Sequence, residues 1–158
     1  MKKVTDITSR AIETTSPITD HFGRVFNYLR IAVNEYCNLR CIYCMPEEGV
    51  PFKPKDRLLN TDEICKIIQI MKEMGVKKIR FTGGEPLLRK DLINIIQYAS
   101  QFKSIDSIHL TTNGLLLPEY IDYLLETEIT GINISLDTLN KEKFKTITRR
   151  NGLEKVLE

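Results

Sequence analysis

Four short stretches of alternating apolar and polar residues, separated by stretches of helical period, constrain the fold of this 158-residue chain most tightly. Residues 28–33 alternate and read as a strand. Residues 61–74 place Ile64, Ile67, Ile68 and Met71 at helical spacing, with Asn60 as N-cap and Gly75 as the stop. Residues 78–82 form a second strand, and residues 91–102 a second helix with Leu92, Ile95, Ile96, Ala99 and Phe102 on one face. Residues 107–112 form a third strand, and residues 118–126 a third helix that begins on a proline. Residues 132–137 read as a fourth strand, and residues 141–147 as a short helix. This alternation implies an α/β fold of about four βα units with a parallel sheet wound in one hand.

The alternation also sorts the strand side chains. One face carries Leu29, Ile31, Val33, Ile79, Phe81, Ile108, Leu110, Ile132, Ile134 and Leu136, and is the face for helices to cover. The other carries Arg30, Lys78, Arg80, Thr82, His109, Thr111, Asn133, Ser135 and Asp137, which project together from one side. One reading is a simply solvated second face. Parallel sheets are seldom exposed on one side, however, and a closed barrel fills its lumen with apolar side chains. A wide, partly open barrel around a polar ligand is the alternative, because polar groups this dense are costly to bury unless something satisfies them.

Cys37, Cys41 and Cys44 form a CxxxCxxC pattern directly after the first strand. Three thiolates at this spacing can hold three irons of a 4Fe–4S cluster and leave the fourth iron without a protein ligand. A zinc knuckle competes, but structural zinc wants four ligands, and neither Cys65 nor His21 nor His109 stands at ligand spacing to the trio. A disulfide would leave an odd thiol. Reduced thiols of this kind suit the cytosol, so a cytoplasmic location is expected. A net charge of +2, from 23 basic and 21 acidic residues, argues for no nucleic-acid or membrane partner. No apolar run is long enough to span a bilayer, and residues 1–20, rich in Thr and Ser, read as a mobile leader without a secretory h-region.

The cysteine loop followed by Thr82-Gly83-Gly84-Glu85-Pro86 resembles the radical S-adenosylmethionine (SAM) superfamily. Within it, the string from Cys37 to Pro46, Thr111-Thr112-Asn113-Gly114 and Asn133-Ile134-Ser135-Leu136-Asp137 resemble the GTP 3′,8-cyclase family of molybdenum cofactor biosynthesis. The resemblance runs from about Phe22 onward, and the order of four motifs is more specific than any one of them.

That resemblance implies a partial radical SAM barrel, TIM-barrel-like, over residues 21–158. It implies a 4Fe–4S cluster on Cys37, Cys41 and Cys44, whose open iron chelates SAM and cleaves it after a one-electron reduction. Tyr43, Gly84 and Ser135 match positions the family uses for SAM; ordinary loop packing is the alternative for Tyr43, and a water-bonded hydroxyl for Ser135. Arg30, Arg80 and Thr111 match positions used for GTP, and arginine forks suit phosphate oxygens on chemical grounds alone. The implied reaction converts GTP to (8S)-3′,8-cyclo-7,8-dihydroguanosine 5′-triphosphate, with a one-electron reductant as partner. The alternatives are another radical SAM enzyme of the peptide-modifying type, or an inactive Fe–S-binding fragment. Two departures stand out. Asn34-Glu35-Tyr36 replaces the Thr-Asp-Arg string usual before the first cysteine. The sequence given also ends at Glu158, in what reads as the start of a further amphipathic helix. A second 4Fe–4S cluster is therefore expected only in a C-terminal part, and full activity is expected to need that part, a homodimer or a complementing chain.

Overall fold

Strand pairing, rather than the helices, fixes the frame. The computed structural model describes residues 17–51 and 58–158. Strands β1 (Tyr28–Ala32), β2 (Lys78–Thr82), β3 (Ser107–Thr112) and β4 (Gly131–Ile134) form one sheet in the order β1-β2-β3-β4. Every pairing is parallel, and the register sets Arg30 beside Arg80, Arg80 beside His109, and Thr111 beside Asn133. Helices α1 (Thr61–Glu73), α2 (Leu92–Ser100) and α3 (Leu117–Leu125) make the crossovers, and α4 (Lys141–Thr148) and α5 (Leu153–Leu157) follow β4.

The start of α1 is set by a reciprocal cap. Asn60 Oδ1 accepts the Glu63 backbone N–H at 2.9 Å, and Glu63 Oε2 accepts the Asn60 backbone N–H at 2.8 Å. Its apolar stripe then buries Ile64 and Ile68. These two residues meet Leu92, Ile95, Ile96 and Ala99 of α2, Leu124 of α3, and the strand residues Ile31, Ile79, Phe81, Ile108 and Leu110 in one core. The helices thus cover the sheet face that the alternation marks as apolar. The opposite face carries Arg30, Arg80, His109, Thr111 and Asn133. His109 lies so close over Gly131 that a Cβ there would stand 2.8 Å from its Nδ1, so any larger residue would force the imidazole to shift.

The fourth strand departs from its sequence pattern. It ends at Ile134 rather than at residue 137. The Ser135 N–H still donates to Thr112 O at 2.8 Å, and regular pairing ends there. Ile134 is 44% exposed, and among the described residues only β3 pairs with β4, so the apolar face expected for this strand is covered chiefly at Ile132. Leu136 turns instead into a smaller second core with Leu39, Phe144 and Leu153, against which Cys37, Cys41 and Leu115 also pack. Of the leader expected at residues 1–20, the first 16 lie outside the described residues. In the remainder, the Ile18 N–H donates to Met74 O at 3.3 Å and Ile18 O accepts the Phe26 N–H at 2.7 Å. No helix among the described residues is long and apolar enough to cross a membrane.

Leu110 is fully buried at the centre of the main core. Leu110→Ala is expected to lower the unfolding free energy by about 2–5 kcal/mol, read from denaturant midpoints at constant slope.

Candidate functional site

The C-terminal edge of the sheet is organised by a turn and a buried carboxylate. Gly83 follows β2 with φ +141°, and a Cβ on it would collide with the backbone carbonyl oxygen of Asn34. A Cβ on Gly84 would collide with the carbonyl oxygen of Tyr36. The physical need for both glycines is therefore the close passage of the segment leading into the cysteine loop. The Gly84 N–H donates to Asn34 O at 3.0 Å, and the Glu85 N–H to Tyr36 O at 2.6 Å. Asn34 Nδ2 donates back to Glu85 O at 2.9 Å. The unusual Asn34-Glu35-Tyr36 string is thus the strand-like partner of the glycine turn.

Glu85 itself has no exposed surface. Its Oε1 accepts Thr112 Oγ1–H at 2.7 Å and the Leu87 N–H at 3.1 Å, and its Oε2 accepts the Asn113 N–H at 2.8 Å. Burial pushes the Glu85 carboxyl above the usual carboxylate range, against the pull of those three donors. One side chain therefore ties the end of β2 to the end of β3.

The cysteine loop is held from the other side by α4. The Arg40 N–H donates to Thr148 O and the Ile42 N–H to Ile147 O, both at 2.9 Å. Leu39 anchors the loop in the second core. Arg149, in the left-handed region at φ 54°, ends α4 and points Nη1 at Arg40 O at 3.3 Å. Cys41 O accepts the N–H groups of Cys44 at 2.9 Å and Met45 at 3.0 Å, a tight turn that carries Cys41 and Cys44. Cys37 and Cys41 are half-buried and Cys44 is exposed, and none is in a disulfide. Burial pushes the Cys37 and Cys41 thiols up. Cys65 lies apart on α1, half-buried.

One cavity of about 250 Å³ collects these elements. Cys37, Cys41, Cys44, Tyr43, Gly84, Thr111 and Ser135 all line it, together with Thr82, Asn113 and Asp137. Tyr43 Oη donates to Asp137 Oδ2 at 2.7 Å, and this bond, before any burial, raises the tyrosine above its ordinary range. Arg80 stands on the polar sheet face below the cavity rim. Its Nη1 donates to Thr111 Oγ1 at 3.1 Å and to Asn133 Oδ1 at 2.7 Å, while its Nε is buried without a hydrogen-bond partner. Arg30 is exposed on the neighbouring strand.

Among the described residues, no three His, Cys, Asp or Glu side chains converge tightly enough to hold a single metal ion. The three cysteines line one cavity, and three thiolates are a donor set that suits a multi-iron cluster better than a four-ligand structural zinc.

Comparison with known proteins fits this geometry. The family model of the radical SAM superfamily matches residues 31–158. The chain belongs to the radical SAM superfamily. It is 47% identical over 141 residues to the GTP 3′,8-cyclase of Listeria monocytogenes, a match that covers 89% of this chain and 42% of that protein. It is also 47% identical over 148 residues to molybdenum cofactor biosynthesis protein 1 of Drosophila melanogaster, covering 94% of this chain and 26% of the relative. The chain thus spans less than half the length of these relatives. Its fold matches a crystal structure of Streptococcus suis SuiB bound to S-adenosylmethionine with a TM-score of 0.62 at 22% identity, over 80% of this chain and 27% of SuiB.

In this radical SAM chain, the residues singled out from sequence for the cluster and for SAM come together around the cavity, with Thr111. Arg30 and Arg80 do not line it; they lie side by side in register on the polar face. Sequence reasoning missed Glu85, Asn113 and Asp137 as site residues. All three lie within the motifs of the sequence, but only the fold shows that the Glu85 side chain accepts the Asn113 backbone N–H, that the Asn113 side chain reaches Asn38 and Cys37, and that Asp137 accepts from Tyr43.

The raised Glu85 carboxyl has a definite linkage. A group whose folded pKa lies above its unfolded value stabilises the protein most below the unfolded value. That contribution is lost as pH rises through the folded one. Glu85→Gln is expected to flatten the fall in melting temperature as pH rises above the ordinary glutamate value of 4.5. Thermal denaturation of both proteins across this range checks it, and parallel curves would exclude Glu85 as the source.

Proposed function

We propose that this chain is the N-terminal part of a radical SAM lyase of the GTP 3′,8-cyclase type. In this reading it takes part in converting GTP to (8S)-3′,8-cyclo-7,8-dihydroguanosine 5′-triphosphate for molybdenum cofactor biosynthesis. The observation that carries the reading is the convergence of Cys37, Cys41, Cys44, Tyr43, Gly84, Thr111 and Ser135 on one cavity, beside an arginine with an unsatisfied donor. The extent of identity to proteins named as GTP 3′,8-cyclases supports the choice of substrate.

Cys37, Cys41 and Cys44 would ligate a 4Fe–4S cluster, with SAM held by Tyr43, Gly84 and Ser135. When bound, the cluster and SAM supply a one-electron cleavage that generates radical chemistry for hydrogen abstraction. The chain's own residues then have the tasks of orientation and exclusion of water. Gly83 and Gly84 line the cavity at a turn held by the close passage of Asn34 and Tyr36. The Ser135 hydroxyl can bond a polar ligand group. Arg30 and Arg80, adjacent in register, would bind the triphosphate of GTP. Arg80 Nε is an unpartnered donor that suits an anionic oxygen, and Thr111 helps to fix the guanidinium plane by accepting from Nη1.

The remaining requirements lie outside these residues. A one-electron reductant, a second 4Fe–4S cluster and further barrel units would come from a C-terminal part, a second copy or a complementing chain. On the open polar face a triphosphate stays largely solvated, which weakens each cation contact. These residues alone are therefore incomplete for cyclisation. Reduced thiol ligands favour a cytoplasmic setting.

Anaerobic reconstitution with iron and sulfide tests the cluster. The chain is expected to take up about four irons and to form 5′-deoxyadenosine from SAM under reduction. Cys41→Ala should abolish both, and Cys65→Ala should leave both intact; the reverse pattern would refute the ligand assignment. Arg80→Ala should weaken GTP binding roughly tenfold or more in calorimetric titration, the scale of a lost charged hydrogen bond. Its iron content should not change. Equal affinity in the variant would remove Arg80 from the substrate site.

A further inference from the structure

Asn113 is 9% exposed, and its backbone N–H and both ends of its side-chain amide are engaged. Its backbone N–H donates to Glu85 Oε2 at 2.8 Å, and its Oδ1 accepts the Leu115 N–H at 3.0 Å. Its Nδ2 donates to Asn38 Oδ1 at 2.7 Å and lies 3.8 Å from Cys37 Sγ, within donating reach of sulfur. These partners fix which end of the amide is which. A flipped side chain would set Oδ1 against Asn38 Oδ1 and Nδ2 against the Leu115 N–H, losing both bonds. The donor end therefore faces the sulfur. Cys37 Sγ also accepts the Leu39 N–H at 3.4 Å, so two N–H groups converge on this one sulfur.

We infer that Asn113 is a positioning residue that donates its amide N–H to the Cys37 sulfur and thereby raises the reduction potential of the cluster. The inference rests on the reading of Cys37 as a cluster ligand. An N–H donor withdraws electron density from a ligating sulfur, and the added negative charge of the reduced cluster strengthens that bond. Hydrogen bonds to sulfur are among the terms that set cluster potentials. The arrangement also gives the buried carboxylate a function. Glu85 fixes the Asn113 backbone, Asn113 fixes the side-chain amide, and the amide meets the sulfur. The end of β3 is thereby coupled to the cysteine loop by one side chain.

The test uses the whole chain, reconstituted anaerobically and titrated electrochemically with EPR detection of the reduced cluster. Asn113→Leu keeps the volume and adds no charge but has no N–H. Asn113→Asp keeps the acceptor for the Leu115 N–H and also has no donor. Each is expected to lower the ratio of reduced to oxidised cluster at fixed potential by about tenfold, equivalent to 59 mV for one electron. Wild-type protein labelled with 15N at asparagine side chains should show a 15N coupling to the reduced cluster in pulsed EPR that Asn113→Asp loses. An unchanged potential in cluster-loaded Asn113→Leu, or no 15N coupling in loaded wild type, overturns the inference. If neither variant holds a cluster, the wild-type coupling decides. A wild-type chain that binds no cluster would overturn the cluster reading itself, and this inference with it.

Discussion

A carboxylate with no exposed surface is an expensive object, and the arrangement of this molecule's edge follows from how it is satisfied. Removing a carboxylate from water costs several kcal/mol even after relaxation. Hydrogen bonds to a charged group return about 1.5–3 kcal/mol each. Three donors, from Thr112, Asn113 and Leu87, therefore come near to balancing the cost for Glu85 without a neighbouring cation among its bonded partners. The raised carboxyl says that burial retains the upper hand. What the molecule gains is geometry. The glycine turn after β2 and the last residues of β3 are held at fixed separation, and both face the cysteine loop.

Around that tie the sheet divides its labour by face. The helix side buries Phe81, Leu110 and their neighbours and supplies the hydrophobic stabilisation. The other side carries arginines, a histidine and hydroxyls that bond one another across strands, as Arg80 does to Thr111 and Asn133. A sheet that used this second face only to meet water would have little reason to keep an arginine Nε buried and unpartnered. The polar face and the thiol-lined cavity meet at Thr111, which bonds Arg80 below and lines the cavity above. Under the proposed function, that residue marks the border between substrate and cofactor.

The strands and helices were legible because each has an uninterrupted period and a chemical stop. β2 and β3 match their alternating segments residue for residue, and α1 begins after Asn60 as its capping pattern requires. The fourth strand was overestimated because Leu136 and Asp137 continue the alternation, although tertiary packing sends Leu136 into the second core. The cysteine trio was legible from spacing, as was the glycine turn. The atoms that crowd the two glycines, the carbonyls of Asn34 and Tyr36, were not. Long-range partners of this kind leave no local trace. The same holds for Glu85 with Thr112, 27 residues apart, and for Tyr43 with Asp137, 94 residues apart.

The docking of the cysteine loop on α4 has an energetic consequence for cluster assembly. A loop ordered only by metal must draw its ordering entropy from the metal-binding free energy, roughly 1–2 kcal/mol per residue. Here Leu39 is seated against Phe144 and Leu153, and backbone bonds from Arg40 and Ile42 reach the end of α4. Part of that ordering is therefore met by protein contacts that need no iron. The thiols of Cys37 and Cys41 are meanwhile pushed up by burial. Under the proposed ligand assignment, iron would displace protons as it binds, which would favour assembly at higher pH. Cys44, the exposed member, is the thiol most open to solvent-borne iron. On the same assignment, the loop would present one accessible thiol and two shielded ones on a backbone that protein contacts already hold in place.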